Sequence, residues 1–110
     1  MIPNYLLEGA VKFHVHLDPF LILGLKAGLI GISHLGKNYF EVRAIVETDA
    51  HPPRSCFIDG IQFASGCTIG KGNLKVKNSR NVSVESIRGK QNICLEVNET
   101  ILRTLDQMTT

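Results

Sequence analysis

Reactive side chains gather at three places in this chain: the run His14-Val15-His16-Leu17-Asp18, Cys56, and the loop Gly66-Cys67-Thr68-Ile69-Gly70-Lys71-Gly72-Asn73. A His-x-His pair in a non-helical break sets both imidazoles on one side, and two imidazoles suit a zinc or iron site. The same pair also reads as one core histidine beside one solvated histidine. Asp18 precedes Pro19, the signature of a helix N-cap followed by proline at the first helical position. A capping carboxylate keeps one oxygen free, so Asp18 could also lean toward a metal held by the histidines. Cys56 falls where a helix should begin. The helix dipole and the unpaired N–H groups lower a thiol pKa there and favour the thiolate that metals bind. The alternative is a small buried hydrophobe.

The glycine-rich loop departs from a phosphate-binding loop in spacing and in direction. Only three residues separate Gly66 from Gly70, Gly72 follows Lys71 where a hydroxyl is needed, and the loop leads from a helix into a strand. It reads as a strand-entry turn whose N–H groups and Lys71 could hold an anion. Cys67 lies past the far end of the helix that Cys56 opens. At about 1.5 Å of rise per residue the two sulfurs stand roughly 15 Å apart, too far for a disulfide or one shared ion in a single subunit. Cys94 alternates in phase with Asn92 and Glu96 on a polar strand face, and His51 sits in a loop between Ala50 and Pro52.

The elements that must position these residues follow from pattern. Residues 4–13 place Leu6, Leu7, Ala10 and Val11 at helical spacing. A second helix is predicted from Pro19 to Leu35, stopped by Gly36 as a left-handed C′ residue. Its apolar residues run most of the way round, which predicts burial on more than one side, against a sheet and against a partner subunit. Its Gly24-x-x-x-Gly28 marks a close crossing with another backbone. Phe40 to Glu47 alternates as a strand. A third helix fits from Ser55 or Cys56 to Ser65, ended by Gly66. Strands follow at 74–78, 82–87 and 92–97. Asn98 caps a last helix whose buried stripe is Ile101, Leu102, Leu105 and Met108. The order is helix, helix, strand, helix, three strands, helix: an α+β domain over residues 1–110, its sheet mostly antiparallel with at least one helix-linked crossover.

Composition excludes several classes. A length of 110 residues suits one core. Net charge is +2 with scattered lysines and arginines, and aromatics make up 6% with no tryptophan, so neither a basic footprint nor a stacking platform for nucleic acid is present. The apolar stretch from Leu17 to Ile32 carries Asp18 and Lys26 and is too short to span a bilayer. Three cysteines, and a first segment without the order of a signal peptide, point to a reducing, cytoplasmic setting.

Taken together, Phe13-His14-Val15-His16-Leu17-Asp18-Pro19, Gly24-Leu25-Lys26-Ala27-Gly28, Cys56-Phe57-Ile58-Asp59-Gly60-Ile61-Gln62 and Ser65-Gly66-Cys67-Thr68-Ile69-Gly70-Lys71-Gly72-Asn73-Leu74 occur in this order. The set resembles the FmdE family of formylmethanofuran dehydrogenase proteins, whose hallmarks are FHGHxCPG, a GxxxG helix, a Cys-xx-Asp-Ala-Ile-Gln helix and TGCTxGKGN. The resemblance implies a core like the catalytic domain of glyceraldehyde-3-phosphate dehydrogenase, a prokaryotic homodimer, and a divalent metal, zinc, between the His-x-His segment and the helix-start cysteine. His14, His16 and Cys56 match the family positions, as do Cys67, Thr68, Lys71 and Asn73 in the loop. Three residues depart from the pattern: Asp18 replaces its cysteine, Phe20 its second glycine, and Val15 the glycine between the histidines. Phe20 thereby sets a bulky phenyl where a ligand would approach. Longer relatives carry a C-terminal zinc finger, for which this chain shows no CxxC pair.

Two functions follow as expectations. One is a metal-binding accessory domain, associated in relatives with the molybdenum or tungsten enzyme that fixes carbon dioxide on methanofuran, within a larger oxidoreductase complex of one-carbon metabolism. The other is a small metal- or cysteine-dependent enzyme with Cys56 as ligand or nucleophile and His51 available as a base. The expected ligands are His16 and Cys56, then His14, with Asp18 or water completing the set, because two helix starts would aim positive dipole ends and a thiolate at one point.

Overall fold

The computed structural model describes residues 2–36 and 41–109. Its elements are α1 (Asn4–His14), α2 (Pro19–Leu35), β1 (Val42–Thr48), α3 (Cys56–Ser65), β2 (Leu74–Asn78), β3 (Ser83–Arg88), β4 (Gln91–Glu96) and α4 (Glu99–Thr109). This is the predicted α+β order. The predicted first residue of β1, Phe40, lies outside the described residues, as does the side chain of Met108.

The sheet runs β2-β1-β3-β4 and is mixed. β1 pairs parallel with β2, setting Ala44 beside Leu74, and antiparallel with β3, setting Ala44 beside Ser86. β4 closes the order antiparallel to β3. A parallel neighbour needs a crossover, and α3 supplies it between β1 and β2. Along β1 the residues Val42, Ala44, Val46 and Thr48 are buried while Arg43, Ile45 and Glu47 face outward.

Two apolar clusters flank the middle helices. Phe20, Phe57, Ile61, Val42, Val46, Val84, Leu74 and Leu102 belong to the cluster against the sheet. Ala10, Leu21 and Leu25 form the second, with Leu6, Leu7 and Phe63 packed on it from α1 and α3. Being covered on both sides explains why α2 is apolar most of the way round: α1 and α3 of the same chain take up surface that the sequence assigned partly to a partner. Phe20 is fully buried in the sheet-side cluster, so its ring does not obstruct the approach to the histidines, contrary to expectation.

The small residues set how α2 and α3 cross. A Cβ on Gly24 would strike the Phe57 carbonyl and stand 3.0 Å from the Gly60 Cα, and one on Gly60 would strike the Leu21 carbonyl. Without side chains at these two positions the backbones touch, and the starts of both helices are drawn together. Gly36 ends α2 with φ 81° and ψ 150°, a positive φ that glycine tolerates but not the expected left-handed helical turn. In α4 the inward face is Leu102, Leu105 and Asp106, the last paired with Arg54, so Ile101 is turned out and 47% exposed instead of joining the stripe. No helix among the described residues is long and apolar enough to cross a membrane.

Candidate metal centre

Four side chains meet where α1 ends and α2 and α3 begin. His14 is the last residue of α1, and the chain leaves the helix through Val15 in a left-handed conformation, φ 81°. That turn, not strand alternation, brings the rings of His14 and His16 to 4.5 Å between centroids. Asp18 caps α2: its Oδ1 accepts the Leu21 N–H at 2.9 Å. The other oxygen, Oδ2, faces His14 Nε2 at 2.9 Å and His16 Nε2 at 3.1 Å. Cys56 opens α3 beside them. One donor atom from each of His14, His16, Asp18 and Cys56 lies within 4.8 Å of all the others.

Two nitrogens, a carboxylate oxygen and a sulfur form a donor set that a four-coordinate divalent ion accepts, with bonds of roughly 2.0–2.3 Å. Three of the donors are sheltered, since Cys56, His14 and Asp18 are nearly buried. His16 is the open edge, its side chain 61% exposed. The Cys56 thiol is not lowered by its helix start as the sequence suggested. Burial, then the neighbouring Asp18 charge and hydrogen bond, then Asp59, push it up to about 11. Two carboxylates and loss of water outweigh half a unit of dipole charge. A cation among these groups reverses that balance, because a coordinating thiol is deprotonated.

The remaining predicted residues lie elsewhere and do structural work. Cys67 is buried, its thiol donating to the Val42 carbonyl at 3.5 Å, and is outside the cluster. Asn73 Oδ1 accepts the Thr68 N–H at 2.8 Å and its Nδ2 donates to the Val42 carbonyl at 3.3 Å. Thr68 Oγ1 accepts the Lys71 N–H at 3.1 Å, and the Ile69 carbonyl accepts the Gly72 N–H at 3.1 Å. These N–H groups are engaged within the fold, which makes the loop a self-bonded strand-entry turn. Cys56, Cys67 and Cys94 are all free thiols, Cys94 on the exposed strand face. His51 is bonded to Asp49 beside a separate cleft lined by Arg54, Arg80 and Asp106.

One functional neighbour was not singled out from sequence. Asp59 Oδ2 sits 2.6 Å from His14 Nδ1, on the ring edge away from the donor cluster. The available signal was spacing: Asp59 follows Cys56 by three residues on one helix, which places both on the same face.

The fold and the site together define a small α+β domain with a mixed His/Asp/Cys group able to hold a metal ion. The chain belongs to the family described as "FmdE, Molybdenum formylmethanofuran dehydrogenase operon", whose model matches residues 13–106. A protein of Archaeoglobus fulgidus named "Probable S-adenosyl-L-methionine-binding protein" is 36% identical over 76 residues, covering 63% of this chain and 19% of that protein. The chain thus spans about a fifth of the length of that curated relative.

Proposed function

We propose that residues 1–110 form one metal-binding accessory domain, that the metal is zinc, and that the domain serves a formylmethanofuran dehydrogenase-type complex in the cytoplasm as a homodimer. The convergence of His14, His16, Asp18 and Cys56 carries the metal reading. Zinc fits because it accepts imidazole, thiolate and carboxylate together in tetrahedral sites. Family membership supports the association with the dehydrogenase. Phe13, Val15 and Leu17, all more than half exposed, flank the two histidines in the chain and would suit a docked partner. The parallel β1–β2 pair joined through α3, with antiparallel β3 and β4, supports a glyceraldehyde-3-phosphate dehydrogenase-like core.

The accessory reading is preferred to an enzyme because four protein donors saturate a tetrahedral ion, whereas catalytic zinc sites usually keep three and an open position. Metal analysis of the purified protein tests the proposal. One equivalent of zinc in the wild type, lost in Cys56→Ala, is the expected result, and a wild type that binds neither Zn(II) nor Co(II) refutes it. Light scattering tests the dimer, for which a strictly monomeric mass at micromolar concentration is the refuting result.

A further inference from the structure

The loop at 66–73 and the metal centre are joined by a chain of hydrogen bonds whose polarity is set at one end. The Ile69 N–H can only donate, and it points at Gln62 Oε1 at 3.0 Å. That fixes the amide of Gln62, whose Nε2 then donates to Asp59 Oδ1 at 3.4 Å. Asp59 Oδ1 is thereby engaged as an acceptor, which orients the carboxylate, and its second oxygen meets His14 Nδ1 at 2.6 Å. A carboxylate there holds the proton on Nδ1, so the nitrogen that a metal ion would take, in place of a proton shared with Asp18, is Nε2. That is the nitrogen facing Asp18 in the donor cluster.

We propose that Asp59 and Gln62 are positioning residues that fix His14 as the Nδ1–H tautomer and present its Nε2 to the metal. The proposal rests on the metal-centre reading above. It gives the family's loop a role that its own residues do not show: the turn clamped by Asn73 and Thr68 aims the Ile69 N–H that sets the direction of the chain. Partners of this kind orient metal-bound histidines and raise their basicity, and their removal typically costs about 10- to 100-fold in metal affinity.

The test is Co(II) and Zn(II) affinity by chelator competition, with nitrogen-15 NMR of the His14 ring in the zinc-loaded protein. Asp59→Asn is nearly isosteric, but Gln62 continues to donate to its Oδ1, which leaves an NH2 group facing His14 Nδ1. Two donors then oppose each other, and the ring is driven to the wrong tautomer. Co(II) affinity should fall by about 10- to 100-fold in this variant. The double variant Asp59→Asn with Gln62→Ala should bind more tightly than Asp59→Asn alone, because the freed amide can turn its oxygen to His14. A purely structural role predicts the opposite order. Gln62→Ala alone, which retains the acidic partner, should keep His14 as the Nδ1–H tautomer and weaken binding less than Asp59→Asn, and this smaller loss serves as the test if Asp59→Asn does not fold. Wild-type affinity in Asp59→Asn, a double variant weaker than the single one, or wild-type affinity in Gln62→Ala overturns the relay while leaving the metal centre standing. Failure of the wild type to bind either ion overturns both.

Discussion

Val15 is the position where a change can be weighed most directly. It is a β-branched residue with φ 81°, and it is 84% exposed. A left-handed backbone costs an L-residue roughly 1–2 kcal/mol, and strained backbone positions concentrate at functional sites. Almost nothing offsets that cost here, because an exposed side chain contributes little burial. Glycine removes the clash but adds conformational freedom to the unfolded chain, worth about 0.5–1 kcal/mol against it. Val15→Gly should therefore stabilise the metal-free protein by about 1 kcal/mol. In a domain of this size that raises the melting temperature by about 4–8 °C. Val15→Ala keeps a Cβ in the left-handed region and should gain less. Thermal unfolding followed by circular dichroism in the presence of a chelator measures both. If Val15→Gly melts at or below the wild type, or no higher than Val15→Ala, the turn stores no such strain. The family pattern has glycine at this position, and the turn shows the physical reason.

Two further predictions concern the thiols. In metal-free protein the folded state holds the Cys56 proton more tightly than the unfolded chain, whose thiol titrates near its ordinary value of about 9. Stability from this source is fully present below that pH and is lost as the pH rises toward about 11, by about 2–3 kcal/mol, and denaturant titrations should show that slope vanish in Cys56→Ala. Cys94→Ala should leave metal stoichiometry intact, and Cys67→Ala should lower stability through its buried contact with Val42 while affecting metal only weakly, as metal content and melting curves on the same samples would reveal.

Local signals made most of the frame legible. Asp18-Pro19 marked the start of α2, Gly66 the end of α3 and Asn98 the start of α4, because capping chemistry depends on residues a few positions apart. The four donors that the structure brings together were all named from residue type and position. What escaped depends on contacts distant in the chain. Asp59 reaches a histidine 45 positions away, and no periodicity encodes that. The direction of the Cys56 shift was misread because the local rule, a helix start, is overridden by burial and by the Asp18 carboxylate, both of which depend on the close crossing of α2 and α3 at Gly24 and Gly60. The left-handed turn at Val15 was hidden for the opposite reason, since valine is a residue that avoids it.

Asp18 poses a question that the sequence left open, whether it is a cap or a ligand, and the structure divides the two tasks between its oxygens. Oδ1 accepts the Leu21 N–H, and Oδ2 faces both histidines. Asp18→Asn separates them. Asparagine caps helices about as well as aspartate through its single carbonyl oxygen, so the start of α2 should survive with little loss of stability. The second oxygen becomes an NH2 group, which cannot coordinate a cation and opposes the nitrogens beside it. Metal affinity should therefore fall while the melting temperature of the metal-free protein stays within a few degrees of the wild type. Asp18→Ala removes both functions and should add a capping loss of about 0.5–2 kcal/mol. Chelator competition and thermal melts on the two variants give four values that must follow this order. If Asp18→Asn binds metal as tightly as the wild type, Asp18 is a cap alone and the ion is held by His14, His16 and Cys56 with one position open.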